Sequence, residues 1–215
     1  IWQGIDAAAK AAGGTATLSA DGSFTGARPD AAIVVFGEQP YAEFKGDRPN
    51  LEYSPDDKAD LDLLRKLKAA GVPVVAVFLS GRPLWVNAEL NASDAFVAAF
   101  LPGSEGGGMA DVLFRKKDGS VANDFRGKLS FSWPKRPDQY TLNRSDPGYD
   151  PLFAFGYGLS YTAFDWKIVS RRPRRGSNLA DDDTVTTTVR VTNVGPVAGK
   201  DVVELYATPP CIAGG

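Results

Sequence analysis

Three short apolar runs mark the first half of the chain: residues 31–37 (Ala-Ala-Ile-Val-Val-Phe-Gly), 73–79 (Pro-Val-Val-Ala-Val-Phe-Leu) and 94–100 (Asp-Ala-Phe-Val-Ala-Ala-Phe). None alternates as a half-wet strand does, and their length predicts strands buried on both faces. The intervals change period. Leu61, Leu64 and Leu67, with Leu63 beside them, trace one face of a helix between the first two runs. Ser54-Pro55-Asp56-Asp57 predicts its start, as an N-cap, a proline at N1 and early acids suited to the helix dipole. Lys66 and Lys68 in the last turn, Gly71 just past it and Pro73 beyond predict its end. Residues 5–12, closed by Gly13-Gly14, predict an earlier helix, and residues 105–115 a later one. Leu129-Ser130-Phe131-Ser132-Trp133 alternates and predicts an edge strand. Strand and helix thus succeed one another from about residue 5 to residue 133. That order predicts an α/β fold, a doubly wound and mostly parallel sheet with helices on both faces.

The pattern then changes. Residues 134–163 mix Pro, Gly and Asp with aromatic residues and show no period; Tyr149, Phe153, Phe155, Tyr157 and Tyr161 are apolar anchors for an ordered wrapping loop. Arg171-Arg172-Pro173-Arg174-Arg175 and Asp181-Asp182-Asp183 flank an exposed loop, read as solvated rather than as a basic binding patch. Residues 184–194 alternate strictly and residues 200–207 more loosely, the opening of an antiparallel β module. Two domains follow, 1–163 and 164–215; the 52 residues of the second fall short of the about 100 that a β-sandwich needs. An incomplete antiparallel module with an exposed edge is therefore expected.

Composition narrows the chemistry. The chain has 215 residues, too few for a (β/α)8 barrel plus a second domain. The net charge of −2 gives no basic footprint, so nucleic acid is not an expected partner. No apolar run suits a membrane span. The single Cys211 excludes a disulfide framework and a cysteine-cluster metal site. The absence of histidine excludes Ser-His-Asp and Cys-His triads and H-E-x-x-H zinc sites. Acid–base work then falls to Asp, Glu, Lys or Tyr, and 26 carboxylates make carboxylate chemistry the natural candidate. The opening Ile1-Trp2-Gln3-Gly4 and the tail from Pro209 to Gly215 read as an internal piece of a longer protein or a processed chain.

Three stretches follow buried strands, the end of a doubly wound sheet where ligands bind. Leu101-Pro102-Gly103-Ser104-Glu105-Gly106-Gly107-Gly108 carries one carboxylate among glycines that admit close backbone approach. It has neither GK[ST] nor G-x-G-x-x-G, and a carboxylate would repel phosphate. On pattern alone, Glu105 reads first as an acid of the helix's first turn. Residues 37–47, with Glu38, Tyr41, Glu43, Phe44 and Asp47, form either a sugar-binding rim or a polar loop over the sheet. Arg82 in Ser80-Gly81-Arg82-Pro83 suits an anion or, preferably, a structural pairing with the acids of that loop. Gly158-Leu159-Ser160-Tyr161-Thr162 begins like a nucleophile elbow but lacks the last glycine and any histidine to serve it. Asn91-Ala92-Ser93 and Asn143-Arg144-Ser145 fit the short glycosylation pattern, which is common by chance.

In order, Gly37-Glu38-x-Pro40-Tyr41-Ala42-Glu43-x-x-Gly46-Asp47, Ser80-Gly81-Arg82-Pro83, Leu101 to Gly108 with Ala110-Asp111-Val112-Leu113-Phe114, Gly127 to Pro134, and Tyr149 to Tyr161 resemble glycoside hydrolase family 3. The bacterial and plant β-glucosidases and exo-β-glucanases are the subgroup most similar. Val191-Thr192-Asn193-Val194-Gly195 and the stretch from Ala198 to Tyr206 resemble the start of that family's fibronectin type III-like domain. The resemblance implies a retaining glycosidase with no cofactor, acting on β-glucosides or β-glucans and periplasmic or secreted. It implies that an N-terminal barrel, outside these residues, supplies an Asp nucleophile. It places the general acid/base at Glu105, reversing the first-turn reading; Tyr41 and Glu43, from the 37–47 stretch read above as a sugar-binding rim or a polar loop, are the candidate substrate contacts. Retaining chemistry needs two carboxyl groups about 5–5.5 Å apart, with the acid kept protonated by its surroundings. A solitary Glu on a glycine-rich loop meets neither demand until a barrel packs over it. The alternative is a non-catalytic carbohydrate-binding or interaction module that uses residues 38–47. A serine hydrolase without histidine needs a still rarer arrangement.

Overall fold

In the computed structural model the described residues are 1–173, 180 and 182–205. Nine elements follow in order: α1 (Trp2–Ala11), β1 (Ala32–Gly37), α2 (Ala59–Ala69), β2 (Val74–Leu79), α3 (Asn87–Asn91), β3 (Ala95–Phe100), α4 (Gly107–Leu113), β4 (Phe164–Arg172) and β5 (Thr186–Asn193). They fall into two compact units. The first comprises residues 1–123 and 128–158, the second residues 124–127 and the described residues from Leu159 onward.

The three apolar runs form a parallel sheet in the order β1-β2-β3. Val34 lies opposite Ala76 and Phe36 opposite Phe78; Val77 lies opposite Val97, with a register shift between Phe78 and Leu79. One face of this sheet builds the core. Val34, Phe36, Val74, Ala76 and Phe78 pack with Leu61, Leu64 and Leu67 of α2 and with Leu84, Val86 and Trp133. Phe78 is the hub, 5.5 Å from the Phe36 ring, 5.0 Å from Tyr53 and 6.5 Å from Trp133 between centroids. Each valine, leucine or phenylalanine side chain buried there contributes about 1.5–3 kcal/mol. The leucines, one every third residue, seat α2 on β1 and β2 by the periodicity that predicts it.

Three local expectations need correction. Helix α2 starts at Ala59, not beside Ser54. Ser54 has φ +41°, its hydroxyl donates to the Asp57 carbonyl (2.7 Å), and Asp57 Oδ1 takes the Ala59 N–H (2.9 Å). Ser54 and Pro55 thus build a turn ahead of the helix. Residues 129–133 do not extend the parallel sheet. They pair with 152–157: Trp133 N–H donates to Phe153 O (2.8 Å) and Gly156 N–H to Leu129 O (2.8 Å). Trp133, rather than a strand edge, attaches this segment to the core. Residues 200–205 carry no strand; 206–207 lie outside the described residues, as do Arg174, Arg175, Asp181, Cys211 and the tail from Pro209.

Residues 134–158 contain neither helix nor strand. The buried Gln139 orders them: its Oε1 accepts the N–H groups of Lys135 (2.7 Å) and Arg136 (2.9 Å), and its Nε2 donates to Asp150 O (3.0 Å). Phe153 and Tyr157 stack at 4.5 Å. In the second unit β4 and β5 form a separate antiparallel sheet, with Trp166 opposite Val191 and Ile168 opposite Val189. Asp124 joins that unit by accepting from Ser160 Oγ (2.7 Å) and Tyr161 N–H (2.9 Å). Arg171 and Arg172, expected in an exposed loop, end strand β4.

Candidate functional site

Because β1, β2 and β3 are parallel, Gly37, Leu79 and Phe100 end on one edge of the sheet. The segments that leave that edge remain tied to it. Glu38 N–H donates to Leu79 O (2.9 Å) and Ser80 N–H to Phe100 O (3.2 Å). All three candidate stretches therefore share one rim. They meet at Gly81, where a Cβ would lie 3.4 Å from Leu101 Cδ1 and 3.7 Å from Tyr41 Oη.

Glu105 stands on a reversal between β3 and α4. Phe100 (φ +53°) and Gly103 (φ +55°) turn the chain; Glu105 N–H then donates to Pro102 O (2.9 Å), and Gly108 N–H to Glu105 O (3.0 Å). Left-handed backbone is easy for Gly103 but costs Phe100 about 1–2 kcal/mol. An edge-to-face contact of Phe100 with Phe131, centroids 5.7 Å apart, offsets part of that. Helix α4 begins at Gly107 and has no acid in its first turn, which corrects the first-turn reading: Glu105 precedes the helix. Its carboxylate is exposed and accepts from Ser104 Oγ (3.1 Å). Beneath the loop α4 packs on α1 at very close range. A Cβ on Gly4 would sit 2.8 Å from the Gly107 Cα, and one on Gly106 would sit 2.5 Å from the Ile1 nitrogen, so neither Gly4 nor Gly106 has room for a side chain.

Residues 38–47 are pinned at their base. The Glu38 side chain, 9% exposed, is held by Arg82 through Nε (3.1 Å) and Nη2, by Arg48 Nη1 (3.1 Å) and by Ser80 Oγ (3.3 Å). Burial alone would raise its pKa, but the hydrogen bonds from both arginines hold it below the ordinary carboxylate range. Arg82 thus takes the structural pairing expected of it. It also donates through Nη1 to Gly46 O (2.6 Å), and its guanidinium lies 4.5 Å from the Tyr41 ring centroid. Tyr41 is half exposed beside Gly81, and Glu43 is exposed on the same loop. The sequence reading missed Arg48 and Tyr53. The Tyr53 hydroxyl lies within hydrogen-bond distance of Gly37 O (3.0 Å) and Asp60 Oδ2 (2.7 Å), tying the end of β1 to the first turn of α2. Arg48 carried no pattern. Tyr53 had one available signal, an aromatic just ahead of the leucine-rich helix.

Among the described residues no group of three or more His, Cys, Asp or Glu side chains is arranged to hold a metal ion. No helix among them is long and apolar enough to cross a membrane.

Comparison with known proteins matches this arrangement to a family. A periplasmic β-glucosidase of Salmonella typhimurium is 34% identical over 200 residues, covering 82% of this chain and 25% of the relative. A xylan 1,4-β-xylosidase of Xylanibacter ruminicola is 35% identical over 172 residues, covering 75% and 18%. The crystal structure of an exo-1,3/1,4-β-glucanase from a Pseudoalteromonas species superposes with a TM-score of 0.71 at 62% identity, over 74% of this chain and 20% of that one. A β-glucosidase from Listeria innocua, solved with isofagomine, superposes at 0.60 with 26% identity, over 79% and 25%. The chain thus spans about a quarter or less of the length of these relatives. The family model described as the glycosyl hydrolase family 3 C-terminal domain matches residues 1–161, three quarters of the sequence, and to that family this chain belongs.

Proposed function

We propose that this chain is the part of a retaining β-glucosidase-type enzyme that supplies the general acid/base, and that Glu105 is that group. The observation that carries the reading is the position of Glu105. It is an exposed carboxylate on a glycine-rich reversal at the C-terminal edge of a parallel sheet, with two further candidate loops on the same rim. The names of the relatives point to β-glucosides, β-glucans or β-xylosides as substrates. The periplasmic relative supports a periplasmic or secreted location.

In the proposed reaction a carboxylate of an N-terminal barrel attacks the anomeric carbon while Glu105 protonates the departing glycosidic oxygen. The bond to the leaving group breaks and a glycosyl–enzyme ester forms. Glu105, now ionised, removes a proton from water as that water attacks the anomeric carbon and releases the first carboxylate. Tyr41 and Glu43 are proposed to line the sugar site. The proposed domain division is 1–163 and 164–215, the second part being a partial fibronectin type III-like segment.

The test is Glu105→Gln in the full-length enzyme. Turnover of alkyl β-glucosides, whose leaving group needs a proton, is expected to fall by about 100- to 10,000-fold. Bond cleavage in activated aryl β-glucosides is expected to persist, because a good leaving group departs without an acid. Equal turnover of both substrate classes before and after the substitution would refute the assignment.

A further inference from the structure

We propose that Arg82 is a positioning residue that fixes Tyr41 on the rim of the sugar site; this rests on the function proposed above. The bonds of Arg82 exceed what neutralising Glu38 requires. Glu38 already has Arg48 at 3.1 Å and Ser80 Oγ at 3.3 Å. Arg82 adds its own contacts to Glu38 and then reaches past it, to the Gly46 carbonyl at 2.6 Å and the Tyr41 ring at 4.5 Å. Those two contacts span the tip of the 38–47 loop. Little else holds that tip: a turn from Lys45 N–H to Ala42 O (3.1 Å) closes it, and Phe44 on it is 79% exposed with φ +65°. Ordering an exposed loop costs about 1–2 kcal/mol per residue in backbone entropy alone, so the few contacts present decide its shape.

The geometry requires arginine. Nε and Nη2 of the guanidinium face the carboxylate, Nη1 faces a carbonyl and the central carbon lies over an aromatic ring, three uses that an ammonium cannot combine. Gly46 completes the clamp, since a Cβ there would collide with the Tyr41 ring. The Tyr41 hydroxyl end is thereby held beside Gly81, which Leu101, four residues before Glu105, also approaches. A sugar bound at Glu105 would meet a ring whose orientation is fixed in advance, and preorganised contacts strengthen binding by avoiding ordering costs.

The experiment is steady-state kinetics on an aryl β-glucoside with the full-length enzyme carrying Arg82→Ala, Tyr41→Ala, and both. KM is expected to rise about tenfold in each single variant with kcat within twofold. The double variant is expected to be no worse than the poorer single one, because Arg82 acts through Tyr41. Multiplying effects, or a fall in kcat at unchanged KM, would overturn the proposal. If Arg82→Ala does not fold, Arg82→Lys keeps the charge beside Glu38 without the flat face. A raised KM that is again not additive with Tyr41→Ala supports the clamp, and an unchanged KM overturns it. Failure of the underlying reading looks different: Glu105→Gln would then leave turnover intact whatever Arg82 does.

Discussion

Glu38 illustrates how a side chain's environment sets its pH behaviour. Its carboxylate is almost fully enclosed and accepts from two guanidinium groups and a hydroxyl. Its folded pKa lies below the ordinary value near 4.5, so its stabilisation is complete above that value and disappears as pH falls through the depressed one. Replacing Glu38 by Gln is expected to cost about 1.5–3 kcal/mol at pH 7, the scale of a hydrogen bond to a charged group. Denaturant melts at descending pH should show the two proteins converging below pH 4.5; a gap that stays constant as pH falls below that value would contradict the account. The pairing of Arg82 with an acid of the 38–47 loop was legible in the sequence, because both follow buried strands; that Arg48 joins Glu38 was not, since it depends on the fold of a loop with no periodicity.

At the scale of elements, periodicity carried most of the information. The leucines of α2 locate that helix because burial on a fixed face repeats at a fixed interval, and the unbroken apolar runs locate β1, β2 and β3; the expected burial on both faces holds for β2, whereas Val35 of β1 is 39% exposed and β3 has no fully buried residue. Capping residues misled, since a Ser-Pro-Asp-Asp stretch serves a turn as well as a helix start, and Ser54 takes the turn. The alternation of 129–133 was real but found its partner in 152–157, a pairing too irregular to predict. The position of Glu105 was legible, whereas the reason for the glycine that follows it was not: it depends on a helix at the other end of the first unit's sequence. Gly106 leaves room for Ile1, and Gly4 lets α1 approach Gly107 at the start of α4. Gly4→Val should force these helices apart and destabilise the first unit by about 1–3 kcal/mol, the usual cost of overpacking. On the function proposed above, the same change in the full-length protein should lower kcat/KM on alkyl β-glucosides more than on activated aryl β-glucosides, because the loop that carries Glu105 rides on α4. Equal loss on both substrates would place the effect elsewhere.

Across the whole molecule the two units differ in how they are held together. The first closes around side chains with no exposure, among them Leu64, Val74, Ala76 and Val77. The second rests on a two-stranded sheet whose Ile168 is 68% and Val169 49% exposed. Two-stranded sheets are marginal in water without a packed face. Hydrogen exchange should therefore report the amides of β2 as the slowest, opening only with global unfolding, while those of β4 and β5 exchange through local opening at least about a hundredfold faster. Comparable protection in both sheets would mean that the second unit has stability beyond its own contacts. The division of the chain between the units also bears on how it can be engineered. Residues 124–127 belong to the second unit but precede residues 128–158 of the first, so the backbone passes between the units three times. A single cut at Gly158 leaves Asp124 behind without Ser160 and Tyr161. Grafting the first unit into another enzyme would need a new linker in place of 124–127, and a ribosome releasing the chain from its N-terminus must deliver that short stretch long before its partners exist.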